Sequence, residues 1–478
     1  MAFLRRIWNR DEVPAPAICT ALDIGTEFAK ALVFEIDETG HGTVRGVGRK
    51  RQGLSHMQSG TVADIAAVVD NCAVALQEAE EMAGFRPSQV VIGIAGELVK
   101  GFTTTLTQER KRPEQPINDA ELVKLIDSVQ REALQEAEEM AGFRPTQVVI
   151  GIAGELVKGF TTTHSQERKK PDQPITEAEL QRLIDAVQRE ALHEAERAIT
   201  WETGLPHVDV RLVHAAVTGA AIDGYALTNP VGFQGRHVKI GIFNAFAPLV
   251  HLGALQSVAS QLDLELLEIV AEPYAVARVL GPEQVRQAGA LFIDVGGGTT
   301  DVALVRQGGI EGTRMFALGG RAFTKSIADH LDLPFPRAEQ LKVDYARGLE
   351  FPERAQVAEI VGDDVAVWAA GVELVMEELA AGEMLPSRIW VCGGGSRLPE
   401  IREAVAAERF WKRLSFARPP EVTLMAPDQI EAIGDATELL VDQQDVTPLG
   451  LAYQAIELHT SEDPLDAALR RVLRAMKV

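Results

Sequence analysis

Three short segments combine residue types that handle phosphate. In ALDIGTEFAK an apolar run delivers Asp23, then Gly25 and Thr26, with Lys30 beyond them. The pattern returns in LFIDVGGGTTDVALV as Asp294, Gly296, Gly297, Gly298, Thr299, Thr300 and Asp301. A third turn, Gly393, Gly394, Gly395 and Ser396, follows the apolar run RIWV. Glycine lets a backbone approach phosphate closely, and a threonine adds a hydroxyl donor. An Asp at the end of each of the first two strands suits a hydrated Mg²⁺, which is held by few carboxylates together with phosphate oxygens. Asp23 and Asp294 are therefore the metal candidates. Any one of these turns could be a tight structural loop. Two of them facing each other could clamp one phosphate chain, and the third could admit a nucleoside.

Such turns must be presented by strands. Short apolar runs alternate with helical patterns along the chain, which predicts α/β architecture with ligands at the carboxyl ends of strands. Residues 75–132 and 133–190 repeat without gaps, differing at ten positions, while QVVIGIAG and ELVKGFTTT are unchanged. Each copy reads as strand, second strand, charged Pro-containing loop, and an amphipathic helix opening at Asn118 or Thr176. A duplication and a chimeric gene model would both give such a repeat; the ten substitutions favour duplication.

The chain has 478 residues, enough for two to four domains. Its 47 basic and 69 acidic side chains leave a net charge of −22, which argues against nucleic acid as a partner. Cys19, Cys72 and Cys392 are too few and scattered for a disulfide framework or a thiolate metal site. No stretch approaches the roughly 18 to 20 apolar residues of a spanning helix. The opening MAFLRRIWNR is too short and charged for a secretory signal, so the chain is expected to stay inside the cell.

In order and spacing, the three turns resemble the phosphate-one, phosphate-two and adenosine motifs of the actin, hexokinase and DnaK superfamily. The resemblance implies a two-lobed actin-like fold of duplicated ribonuclease H-like domains, binding Mg²⁺ and ATP between the lobes. VAEPYAVARVL resembles the connecting motif, in which Glu272 would stand near the attacking water; a strand-end carboxylate before a helix N-terminus is the alternative reading. FALGGRAFTKSIA, with Gly319 and Gly320, and RAEQLKVDYA, with Glu339 and Lys342, resemble the FtsA segments after the second phosphate turn and beside the nucleoside. Glu339 and Lys342 could equally pair with each other on a solvated helix face.

The branch is read from the insertion. QVVIGIAGELVKG, TEAELQRLIDAVQREA and AIDGYALTNPVGFQGRHVKIGIFNAF resemble the β-α-β-β subdomain of FtsA, the membrane-tethered actin homologue of bacterial cell division. PilM of type IV pilus assembly is the runner-up. The implied organisation is a basic and apolar segment (1–17), the phosphate-one part of the first lobe (18–74), an extra repeat copy (75–132), and the inserted subdomain with the second copy (133–252). The connecting part (253–288), the second lobe (289–460) and a C-terminal amphipathic helix (461–478) follow. In that last segment Leu465, Leu469, Val472, Leu473 and Met476 share a stripe flanked by Arg470, Arg471, Arg474 and Lys477, as in a helix lying on an anionic membrane. A final helix packed on the protein's own lobe fits the same pattern. FtsA resemblance further implies self-association into filaments, the FtsZ C-terminal peptide and later division proteins as partners, and slow ATP hydrolysis.

Overall fold

The computed structural model describes residues 17–58, 61–85, 89–95, 147–153, 158–203, 210–227, 230–262, 264, 268–279, 289–306, 309–416 and 418–460. Segment 1–16, most of the first repeat copy, and the amphipathic segment with all its membrane candidates lie outside the described residues.

Two sheets carry the fold. In the first, β1 (Ala17–Ile24), β2 (Phe28–Ile36) and β3 (Gly42–Arg51) form an antiparallel meander, which β6 (Gln89–Ala95), β7 (Gln147–Ala153) and β12 (Glu268–Ala271) continue in parallel from β1. The three-residue β18 (Ile433–Asp435) joins the β3 edge. A small hairpin of β4 (Met57–Gln58) and β5 (Thr61–Val62) stands apart. The second sheet repeats the plan: β13 (Ala290–Val295), β14 (Thr300–Arg306) and β15 (Gly309–Phe316) form the meander, and β16 (Arg388–Cys392) and β17 (Glu421–Leu424) run parallel to β13. At its other edge β8 (Lys158–Glu167) pairs with β15 and leads to β11 (His237–Pro248), β9 (Val210–Ile222) and β10 (Tyr225–Leu227).

The strands read as continuous apolar runs because both faces are covered. On β13, Ala290 and Phe292 enter a central core, while Leu291, Ile293 and Val295 enter an outer one. The central core holds α4 (Glu272–Arg278) and α10 (Val446–Thr460) between the sheets. Outside the first sheet lie α1 (Ile65–Ala83) and α3 (Leu249–Gln261). Outside the second lie α5 (Gly320–Leu331), α6 (Phe335–Ala346), α7 (Arg354–Ala380), α8 (Pro399–Ala406) and the short α9 (Glu408–Trp411). On α7, Val357, Val361, Val365, Trp368, Val372, Met376 and Leu379 recur at helical spacing and are buried.

The first strands of the two copies lie side by side. β6 and β7 pair in parallel with Gln89 opposite Gln147 and Ala95 opposite Ala153, so equivalent residues of the two copies face each other. The second copy continues into β8 and then α2 (Glu177–Thr203), which begins one residue after Thr176. The Thr176 hydroxyl accepts the Glu179 N–H at 3.2 Å, the N-terminal cap read from the sequence.

One boundary changes. The sequence reading places 289–460 in the second lobe, but β18 joins the first sheet and α10 packs on β1, β2 and α4. A three-residue strand has no periodicity to reveal its partner, and α10 is apolar enough to pack on either lobe.

Candidate phosphate-binding cleft

A cleft of about 1140 Å³, open solvent at its mouth included, is lined by all three glycine turns at the carboxyl ends of β1, β13 and β16. Asp23 and Lys30 are cross-strand partners on β1 and β2, which sets Lys30 Nζ 3.0 Å from Asp23 Oδ2. The same ammonium donates to the Gln444 carbonyl at 2.8 Å. Burial disfavours its charge, but Asp23, Asp445 and Asp294 outweigh that and raise the Lys30 value. Asp294, the penultimate residue of β13, accepts the Thr447 hydroxyl at 2.6 Å. Gly393 lies directly behind it with φ +83°, and a Cβ there would stand 2.1 Å from Asp294 Oδ1. No side chain fits at that position.

Glu272 opens α4 and reaches the same space, buried to 5 % exposure, with Oε1 lacking a partner. Burial, then the Asp23, Asp301 and Asp294 charges, push its carboxyl well above the ordinary 4.5. Burial and Asp294 do the same to Asp301. Burial also raises Asp294, against the Thr447 hydrogen bond and the Lys30 charge. The cations of the cleft are already paired: Lys30 with Asp23, Arg321 with Glu27, Lys342 with Glu339, and Arg397 with Asp442. Among the described residues Glu272, Asp294 and Asp301 are left without an ion-pair partner of their own.

A nucleotide with its divalent cation fits these observations. The cation would relieve three crowded carboxylates, and two residues of the lining, Thr26 and Arg321, keep a buried donor, Oγ1 and Nη2, that has no partner among the described residues and would suit a phosphate oxygen. Among the described residues no three His, Cys, Asp or Glu side chains form a closed metal site. A cation held beside Asp23 and Asp294 would complete its shell with water and phosphate oxygens.

Gly25, Gly296, Gly297, Thr299, Gly320, Gly394 and Gly395 also line the cleft, as do Glu339 and Lys342. Those last two pair at 2.9 Å, though not on a solvated face: their side chains are 13 % and 12 % exposed, and Lys342 Nζ also donates to the Gly320 carbonyl at 2.7 Å. Val343, Ala346 and Leu398 give this end apolar walls. Gly298, Thr300, Gly319 and Ser396 are not among the lining residues. Thr300 donates to the Leu318 carbonyl and accepts the Trp368 indole N–H, and the Ser396 hydroxyl donates to Gly393 O, so both hydroxyls brace the turns from behind. Sequence reasoning missed Glu27, Arg321, Gln444 and Thr447. Gln444 and Thr447 come from DQQDVTPLG, which has no glycine signature and reaches the cleft only because α10 returns to the first lobe.

Residues 291–437, which contain the second and third glycine turns, match the family model "Cell division protein FtsA". Over that stretch the chain is similar to the FtsA family. Its similarity to FtsA of Pseudomonas aeruginosa is 27% identity over 47% of this chain and 50% of that protein, and to FtsA of Neisseria meningitidis 27% over 45% and 48%. The chain thus spans about half the length of these curated relatives in each match. Among solved structures, the PilM-PilN type IV pilus biogenesis complex superposes with a TM-score of 0.55 at 16% identity, covering 92% of this chain and 98% of that one. That likeness speaks for the actin-like fold alone. The actin-like reading drawn from the glycine turns and the resemblance to FtsA both stand, the first on the fold and the second on the family match.

Proposed function

We propose that this chain binds Mg·ATP in the cleft between its lobes and acts in bacterial cell division as an FtsA-type protein. It would self-associate on the cytoplasmic face of the membrane and bind the FtsZ C-terminal peptide and later division proteins. The observation that carries the nucleotide reading is the group of crowded carboxylates, Glu272, Asp294 and Asp301, beside two glycine turns that offer unpartnered donors. The similarity to the FtsA family over residues 291–437 supports the division role. No helix among the described residues is long and apolar enough to cross a membrane; the basic stripe of residues 465–477 is the proposed surface contact.

In the cleft, Asp23 and Asp294 would hold the cation through water, with Lys30 and Thr447 fixing their carboxylates. Thr26 and the backbone N–H groups of the turns would bind phosphate oxygens, and Glu339 with Lys342 would border the nucleoside. Bound Mg²⁺ supplies charge neutralisation at the phosphates. Calorimetric titration with ATP in the presence of Mg²⁺ tests this: the parent is expected to bind and Asp294→Ala to lose binding, whereas equal affinities would remove the site. Pull-down with the FtsZ peptide against the cytoplasmic tail of a pilus membrane protein separates the division reading from a PilM-type scaffold.

A further inference from the structure

One ionic strap joins the two phosphate turns. Glu27 directly follows Thr26 in the first turn; one of its carboxylate oxygens accepts Arg51 Nε at 2.6 Å and the other accepts Arg321 Nε at 2.9 Å. Arg321 lies on α5 directly after Gly319 and Gly320, and its backbone N–H donates to the Gly297 carbonyl at 2.7 Å, so its guanidinium is anchored to the second turn. The Glu27 carbonyl accepts the Gln52 N–H at 2.8 Å, which anchors it to the first lobe. Between the anchors the turns are in contact: a Cβ on Gly297 would lie 3.1 Å from Glu27 Cβ.

Both side chains of the central pair are mostly buried, 18 % exposed for Glu27 and 15 % for Arg321, so salt screens the pair less than a surface bridge. Arg321 also reaches the Met57 carbonyl at 3.5 Å yet keeps its buried Nη2 without a partner. Leaving a buried donor unmatched is unfavourable, and a bridge serving stability alone would not be expected to retain it.

We infer that the Arg51–Glu27–Arg321 strap is a gate on the cleft. It holds the phosphate turns of the two lobes together in the ligand-free chain, and it must part for a nucleotide to enter or leave. The first statement stands on the contacts alone; the second rests on the ATP reading above.

The test uses the full chain with Glu27→Gln, Arg321→Gln and both together, substitutions that keep side-chain shape close to the original. Amide hydrogen exchange of ligand-free protein is followed in peptides covering residues 20–30 and 292–322. Each single substitution is expected to raise exchange there about tenfold, as for loss of one charge-assisted hydrogen bond. The double substitution should go no further, because either one removes the same contact. Unchanged exchange in both singles, or additive effects, overturns the gate. Stopped-flow mixing with anthraniloyl-ATP and Mg²⁺ then reads the second statement. Loss of a gate raises entry and release rates together, whereas loss of an ordinary ligand contact raises release alone. Faster release without faster entry overturns the gating role and leaves the ATP reading intact; a parent that binds no ATP overturns the ATP reading and the gating role, with exchange still deciding the strap.

Discussion

Glu272 stands where two explanations of one carboxylate meet. It occupies the first turn of α4, where the helix dipole favours negative charge, and it lines the cleft with Oε1 unpartnered beside Asp23, Asp294 and Asp301. The dipole alone does not require burial among three other acids, which is unfavourable unless a cation or a proton relieves it. Glu272→Gln is therefore expected to lower ATP turnover by about 100-fold, the low end for loss of a general base, while calorimetric ATP affinity stays near the parent's. Unchanged turnover would leave Glu272 as a helix-terminal charge. At this scale the sequence was informative wherever glycine marked a turn. It was silent on Glu27, Arg321 and Thr447, whose roles come from partners 294 and 153 positions away.

The repeat unit shows what an element must keep. In the second copy Ile175, Leu180, Leu183, Ile184 and Val187 are buried in one core, and each has the identical residue 58 positions earlier. The substituted positions for which burial is described, Ser165, Lys170, Asp172, Thr176, Glu177, Arg182 and Ala186, are exposed or half-buried. The unit is closed by Arg168, 5 % exposed, which donates to both Glu179 oxygens and to the carbonyls of Pro171, Gln173 and Gly235. Arg168→Ala should destabilise the chain by about 1–3 kcal/mol at pH 7, because those acceptors lose a charged donor. The Arg168 hydrogen bond holds the Glu179 carboxyl below its ordinary 4.5. That contribution is present above pH 4.5 and lost as pH falls through the lowered value. Urea unfolding should therefore show the parent's advantage over Arg168→Ala narrowing below pH 4.5; a constant gap would mean that the ion pair contributes nothing. The charged loop with its arginine was visible in the sequence, and the Pro171 and Gln173 carbonyls are local to it, but the Gly235 carbonyl reaches Arg168 only because β11 returns beside β8.

The whole molecule takes a strand from each repeat copy into one sheet. β6 stands between β1, which carries Asp23, and β7, which is followed in the sheet by β12 and then Glu272. Excising residues 75–132 would join Val74 to Ala133, restore the end of α1 with identical residues, and offer β7 to β1 in place of β6. Such a chain is expected to fold and to bind Mg·ATP, with altered filaments on lipid monolayers by electron microscopy; loss of folded circular dichroism would show that the extra strand is core. Sequence alone determined the α/β class, the three glycine turns and the repeat, because these rest on local apolar runs, on residues that permit special backbone geometry, and on direct identity. Tertiary structure decided that the first strands of the copies are neighbours, that residues 433–460 return to the first lobe, and that Glu27 meets Arg321. Those facts depend on which distant surfaces pack together, and local pattern does not encode the choice of partner.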